Sequence, residues 1–248
     1  MTPNQAADLA NDVAQDAAKT AAPPLLYAVD SSAPVTQARI DLLVKECGTL
    51  PAWWARYLGD PKDKITISAD KEIPLLQGAG VAFVAVARRS GIVGAGSDKG
   101  TESGLADAKQ LTAIALKYPV CNKIFLDVED RPALSSFFYK AWATEIARAG
   151  FEPCVYLPNA VYHAPQWEAL NTAILRGAPC GGIWVAGYFH QNNTDLQAGV
   201  STFSRCEWDR RLTSGPAKAP VLAWQYLGNT YGKQFDFNTL SPDVAPWW

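Results

Sequence analysis

The chain has 248 residues with 22 Lys and Arg against 24 Asp and Glu, a net charge of −2, and is 48% hydrophobic and 11% aromatic. That composition can bury a large core as one domain, or at most two, and it argues against a nucleic-acid surface, because the basic residues are dispersed and Arg88-Arg89 and Arg210-Arg211 read as solvated loop charges. No apolar run approaches the length of a membrane span.

Residues 1–24 are rich in Ala and Asp and end in Pro23-Pro24, which predicts a flexible tail or frayed helix ahead of one domain over 25–248. Acids fall where a secretory signal needs its apolar centre, so export by the general pathway is not expected. Leu25 to Val29 reads as a strand that stops at Asp30, followed by Ser31 and Ser32. Pro34 can open a helix, with Ile40, Leu43, Val44 and Cys47 on one face and Gly48 closing it. Ala52 to Leu58 is a second strand, Ser68 to Gln77 a short helix interrupted at Pro74, and Val81 to Ala87 a third, buried strand. The glycine-rich stretch GIVGAGSDKGTESG fits neither GxGxxG nor GxxxxGK[ST], which predicts a rim loop and no phosphate cradle. A helix is expected from Thr101 to Tyr118, stopping before Pro119.

The fourth strand lies in KIFLDVED, Lys123 to Asp130, where an apolar run ends in three carboxylates. Strand alternation puts Asp127 and Glu129 on one side, with alpha carbons roughly 6–7 Å apart. Two acids at close range cannot both ionise freely, so one holds a proton near neutral pH. A proton donor beside an anion suits glycosidic cleavage. The alternative is a solvated strand end whose acids cap the next helix. That helix is expected from Pro132, with Leu134, Phe138, Trp142 and Ile146 as its apolar stripe and Gly150 as its stop. Pro153 to Leu157 is strand five, Pro165 to Arg176 a helix, and Gly182 to Ala186 strand six. From His190 to Pro220 the helical period disappears, with a weak strand expected around Val200 to Phe203. Ala219 to Tyr226 is a further strand, and QFDFN returns to the sheet as a hairpin around Asp236.

The five cysteines, Cys47, Cys121, Cys154, Cys180 and Cys206, form no CxxC pair and suggest neither a zinc site nor a disulfide scaffold. They fit folding in a reducing cytoplasm. His163 and His190 lie too far apart for HxxxH or HExxH, and no Gly-x-Ser-x-Gly elbow is present. No metal and no cofactor is expected, and carboxylates remain as the carriers of chemistry.

Five strand–helix alternations predict an α/β fold with a parallel sheet. Acids at the ends of the first, fourth and last strands favour a TIM-like (β/α) barrel over a doubly wound sheet, because barrel strand ends ring one pocket. This barrel is expected to be atypical, with about five βα units and a helix-poor C-terminal third. Asp30, Asp127, Glu129 and Asp236 are then expected to meet at one end.

Asp30-Ser31-Ser32, LDVED, VYLPNAVY, IWVAGY, and AWQY followed by FDFN occur in the order found in glycoside hydrolase family 25, the muramidase barrels, and in a more remote glycoside-hydrolase-like group. The chain resembles these families over nearly everything from Leu25 on. It departs from the muramidases after the first motif, where APVTQARIDLL replaces Gln-Gly and a Trp-containing turn, and RYLGDPKDKITISADKEIPLL is closer to the glycoside-hydrolase-like group. The resemblance implies an eight-stranded barrel that cleaves the bond between N-acetylmuramic acid and N-acetylglucosamine in peptidoglycan. It implies Glu129 as general acid, Asp127 stabilising the cationic transition state or the substrate acetamido group, Asp30 and Asp236 as supporting carboxylates, and Tyr156, Trp184, Tyr188 and Trp224 along a sugar groove.

The expected function is a muramidase-like peptidoglycan hydrolase, a lysis enzyme or antibacterial toxin; the alternative is a noncatalytic cell-wall glycan-binding barrel. A housekeeping barrel acting on phosphate substrates lacks the Gly-rich turn it needs after the late strands. The expected partners are a peptidoglycan or related glycan together with secretion machinery or an immunity protein, and the expected state is a monomer. Synthesis in the cytoplasm, followed by phage lysis or specialised secretion, would bring such a protein to the cell wall.

Overall fold

The computed structural model describes residues 26–59, 66–88, 93–94, 96–118, 121–129, 132–159, 163–189, 191–199, 201–204, 206, 208 and 218–241. The expected tail over 1–24 lies outside these residues. Eight strands close into one barrel in chain order: β1 (Tyr27–Asp30), β2 (Trp53–Tyr57), β3 (Ala82–Arg88), β4 (Lys123–Asp127), β5 (Glu152–Pro158), β6 (Gly182–Ala186), β7 (Val221–Asn229) and β8 (Phe235–Leu240). Strands β1 to β7 run parallel, and β8 closes the barrel antiparallel to both neighbours. Five helices follow the first five strands: α1 (Gln37–Cys47), α2 (Ala69–Gly78), α3 (Ser97–Ala115), α4 (Ser136–Arg148) and α5 (Ala164–Leu175). After β6 the described residues form the short α6 (Asn193–Ala198), and the four-residue α7 (Thr230–Lys233) joins β7 to β8. The chain is thus an α/β barrel, with little helix among the described residues of its last third. No helix among the described residues is long and apolar enough to cross a membrane.

Where elements differ from expectation, local hydrogen bonding accounts for it. The stripe helix begins at Ser136 because the Ser135 hydroxyl accepts from Phe138 N and caps it. Helix α3 begins at Ser97, four residues before the expected start, and takes Gly100 and Gly104 out of the expected rim loop. Gly104 marks a close approach: a Cβ there would lie 2.4 Å from Phe138 O on α4. No strand forms at 201–204, and Val200 lies outside the described residues. Asn193–Ala198 coils into α6 ahead of it, capped by Asn192 Oδ1 accepting from Asp195 N at 2.7 Å and ended by Gly199 at φ 67°.

The two-residue period of the strands sorts side chains into two cores. Leu111, Phe138, Trp142 and Ile146 pack with the outward residues of the strands, such as Val29, Leu126 and Val155, between helices and barrel. Inside the barrel, Trp53, Phe125 and Trp184 pack with Ala28, Val84 and Cys154. Trp184 is met edge-on by Trp53 at 5.2 Å and Phe125 at 5.6 Å, a favoured aromatic geometry. Nearer the N-terminal ends of the strands, buried Lys123 pairs with Glu152 across the β4–β5 register. The barrel is therefore plugged below, and an opening at its other end is a pit with a floor.

Candidate active site

That pit is a cavity of about 230 Å³, lined by residues from the strand ends and the turns after them. It contains Asp30, Asp127, Glu129 and Asp236, so the four acids do meet at one end. Asp30 is the last residue of β1 and Asp127 the last of β4. Asp236 arrives by the opposite route: β8 runs antiparallel, so a residue near its start reaches the same rim, in register with Asp30.

Asp127 and Glu129 differ in surroundings although only two residues apart. Asp127 is 2% exposed and accepts a hydrogen bond from Tyr57 Oη at 3.2 Å. Glu129 lies beyond the end of β4, exposed on the rim, with its carbonyl accepting from Gln166 Nε2 of α5 at 3.3 Å. The two acids set against each other are Asp30 and Asp236, directly opposite in the β1–β8 register and lining the same cavity. Burial, then the charge of Asp236, pushes Asp30 well above the usual carboxylate range against the pull of two amide donors. Burial raises Asp236 to about 6, opposed by the Asn229 amide and by Asp30.

Tyr156, Trp184 and Tyr188 line the cavity. Trp224 does not. It is fully buried, donates to Gly187 O at 2.6 Å and packs against Phe189 and Tyr226 in the core between barrel and helices. Strand alternation explains the correction: in β7 the inward residue is the next one, Gln225.

The sequence reading passed over Tyr57, Gln225 and Asn238. Tyr57 ends β2 on the inward side, as Asp30 ends β1, and the same strand-end rule finds it. Gln225 and Asn238 are polar residues buried within strands, a pattern that demands hydrogen-bond partners. Burial followed by the charges of Asp127, Asp30 and Glu129 raises the Tyr57 phenol. Burial likewise raises Tyr156 and Tyr188, so all three remain protonated donors at neutral pH. Arg56, beside the cavity, is engaged with Glu72 and with Ser31 O. Among the described residues no three His, Cys, Asp or Glu side chains are arranged to hold a metal ion. The arrangement offers an exposed carboxyl, a buried carboxyl, an opposed pair of further buried acids and phenol donors around a space of about 230 Å³.

An α/β barrel with an acidic pit at one end is the class these features define. Solved structures share the fold. An uncharacterized protein of B. stearothermophilus superposes with a TM-score of 0.70 at 19% identity, covering 88% of this chain and 96% of that one. The catalytic domain of the endolysin ply40 from bacteriophage P40 of Listeria monocytogenes gives a TM-score of 0.53 at 15% identity, over 90% and 96% of the two chains. A muramidase from Acremonium alcalophilum gives 0.51 at 14% identity, over 88% and 95%. These likenesses are of fold. No family model and no curated protein sequence matches the chain.

Proposed function

We propose that this protein hydrolyses the glycan strands of peptidoglycan by a muramidase-like acid/base mechanism. The observation that carries the reading is the gathering of Asp30, Asp127, Glu129 and Asp236 around one aromatic-walled cavity, in a fold shared with an endolysin catalytic domain and a muramidase. Glu129, exposed at the rim, is placed to reach an incoming glycosidic oxygen and give it a proton as the bond to the anomeric carbon breaks. Asp127, held by Tyr57 below, faces the positive charge that develops at that carbon or the neighbouring acetamido group. Water then adds its oxygen to the anomeric carbon and gives its proton to a carboxylate of the site, which restores the proton the acid gave up. Asp30 and Asp236 support this arrangement from the floor, and the bond cleaved is that between N-acetylmuramic acid and N-acetylglucosamine.

Such a substrate lies outside the cytoplasmic membrane, so delivery by a phage lysis system or a specialised secretion machine belongs to the same reading, as do an antibacterial role and a matching immunity protein. The test is incubation with purified peptidoglycan and mass analysis of the released fragments. Fragments with a new muramic acid reducing end are expected from the wild type and not from Glu129→Gln. Intact glycan strands after incubation with folded wild-type protein would favour the noncatalytic glycan-binding barrel.

A further inference from the structure

Asp30 is held by two primary amides, and both reach the same oxygen. Gln225 Nε2 donates to Asp30 Oδ2 at 2.9 Å, and Asn238 Nδ2 donates to it at 2.8 Å. An amide can present its oxygen or its nitrogen to a carboxyl, but neither of these can turn without loss. Asn238 Oδ1 accepts from the indole N–H of Trp184 at 2.7 Å, and that nitrogen can only donate. Gln225 Oε1 accepts from Tyr156 Oη at 2.7 Å and from Tyr188 Oη. The orientation of each amide is thus set by an aromatic residue of the cavity wall. With two donors on Oδ2, that oxygen is the one without a proton. Across the strand pair, Asp236 stands directly opposite Asp30 and lines the same cavity, with its own Oδ1 engaged by Asn229 N.

We propose that Gln225 and Asn238 are positioning residues that hold Asp30 by one oxygen and confine a single proton to the Asp30–Asp236 contact, so that the two acids work as one monoanionic unit on the cavity floor. The surrounding charges favour this state. Among the described residues, Asp127 from β4, Glu129 beyond it, and the phenols Tyr57, Tyr156 and Tyr188 are the titratable groups that share the cavity with the pair, while Arg56 of β2 is engaged with Glu72. Among the described residues that line the cavity, every ionisable group except that arginine is an acid or a phenol, so a second full negative charge on the floor meets repulsion from Asp127 and Glu129. The pair titrates as a unit, with both carboxyls raised by burial. Its role in turnover rests on the hydrolase reading, whereas the proton itself is measurable without any activity.

The experiment is a carboxyl titration of the full chain labelled with carbon-13 at the aspartate side chains, read by NMR and checked by the infrared band of the unionised acid. An aspartic acid signal is expected to persist at pH 7 in the wild type and to vanish in both Asp30→Asn and Asp236→Asn. In Gln225→Met and, separately, Asn238→Leu, loss of one donor to the anion should move the lower apparent pKa of the pair up by about one pH unit. Ionisation of both carboxyls in the ordinary range in the wild type overturns the proposal, and that measurement requires no variant to fold. Wild-type titration curves in both folded amide variants overturn it too. A retained proton in a protein inert toward peptidoglycan supports the inference while removing the hydrolase reading; cleavage without a retained proton does the reverse.

Discussion

Glu129 carries the most exposed of the cavity's carboxyls, and the structure gives it little to do for stability. Its exposed side chain contrasts with the buried Asp127 two positions earlier. Glu129→Gln should therefore leave the melting temperature unchanged and lower turnover of peptidoglycan by about 10²–10⁴-fold, checked by fragment release beside thermal unfolding. Asp236 has the opposite profile. Its folded-state pKa of about 6 is above the ordinary 3.8, so its contribution favours the fold fully below that ordinary value and is lost as pH rises through about 6. Asp236→Asn, which can still accept from Asn229 N, should raise stability by roughly 1–3 kcal/mol at pH 7.5 and change it little at pH 4, measured by urea unfolding at the two pH values. Asp30, Asp127 and Glu129 were legible because acids closing apolar strands announce themselves. Gln225, Asn238 and Tyr57 were not, since their importance lies in partners that are distant in sequence, such as Trp184 for Asn238. Trp224 was misplaced for a related reason: an aromatic in a strand declares burial, and only the register tells inside from outside.

Among the elements, the turns after β1 and β2 are tied together by one buried ion pair. Glu72 of α2 accepts from Arg56 Nε at 3.0 Å, Val35 N at 2.7 Å and Ser68 N at 2.7 Å, and Arg56 also donates to Ser31 O at 2.8 Å. The segment that follows Asp30 is thereby fixed to the neighbouring strand. Removing one partner strands a buried charge, so Glu72→Ala should cost roughly 3–5 kcal/mol by chemical denaturation. The contact of α3 with α4 is equally intolerant. Trp142 Nε1 donates to Asp107 Oδ2 at 3.0 Å beside Gly104, whose hydrogen faces Phe138 O. Gly104→Ala should raise intrinsic helix propensity by about 1 kcal/mol and still lower the melting temperature, because the helices must part to admit a methyl group. Strand cores and the β–α alternation could be read from apolar runs and their breaks. The start of α3 could not, because a helical glycine and a loop glycine look alike until the neighbouring backbone is known.

The whole barrel places its chemistry at one end and its apolar plug below, and it carries no helix able to cross a membrane among the described residues. If the proposed substrate is right, the compartment decides the outcome. Bacteria making the chain behind an added periplasmic signal should lyse, those making it without the signal should grow normally, and Glu129→Gln should abolish lysis in the first case; turbidity of the three cultures reads the result. The antiparallel course of β8 has a further effect. Tyr27 at the start of β1 is paired with Thr239 near the end of β8, so the first residues of β1 and the last of β8 stand side by side on the rim opposite the acids. A bead, a surface or a carrier protein tethered near either point would hold the molecule from behind, with its open mouth turned outward toward an insoluble glycan mesh.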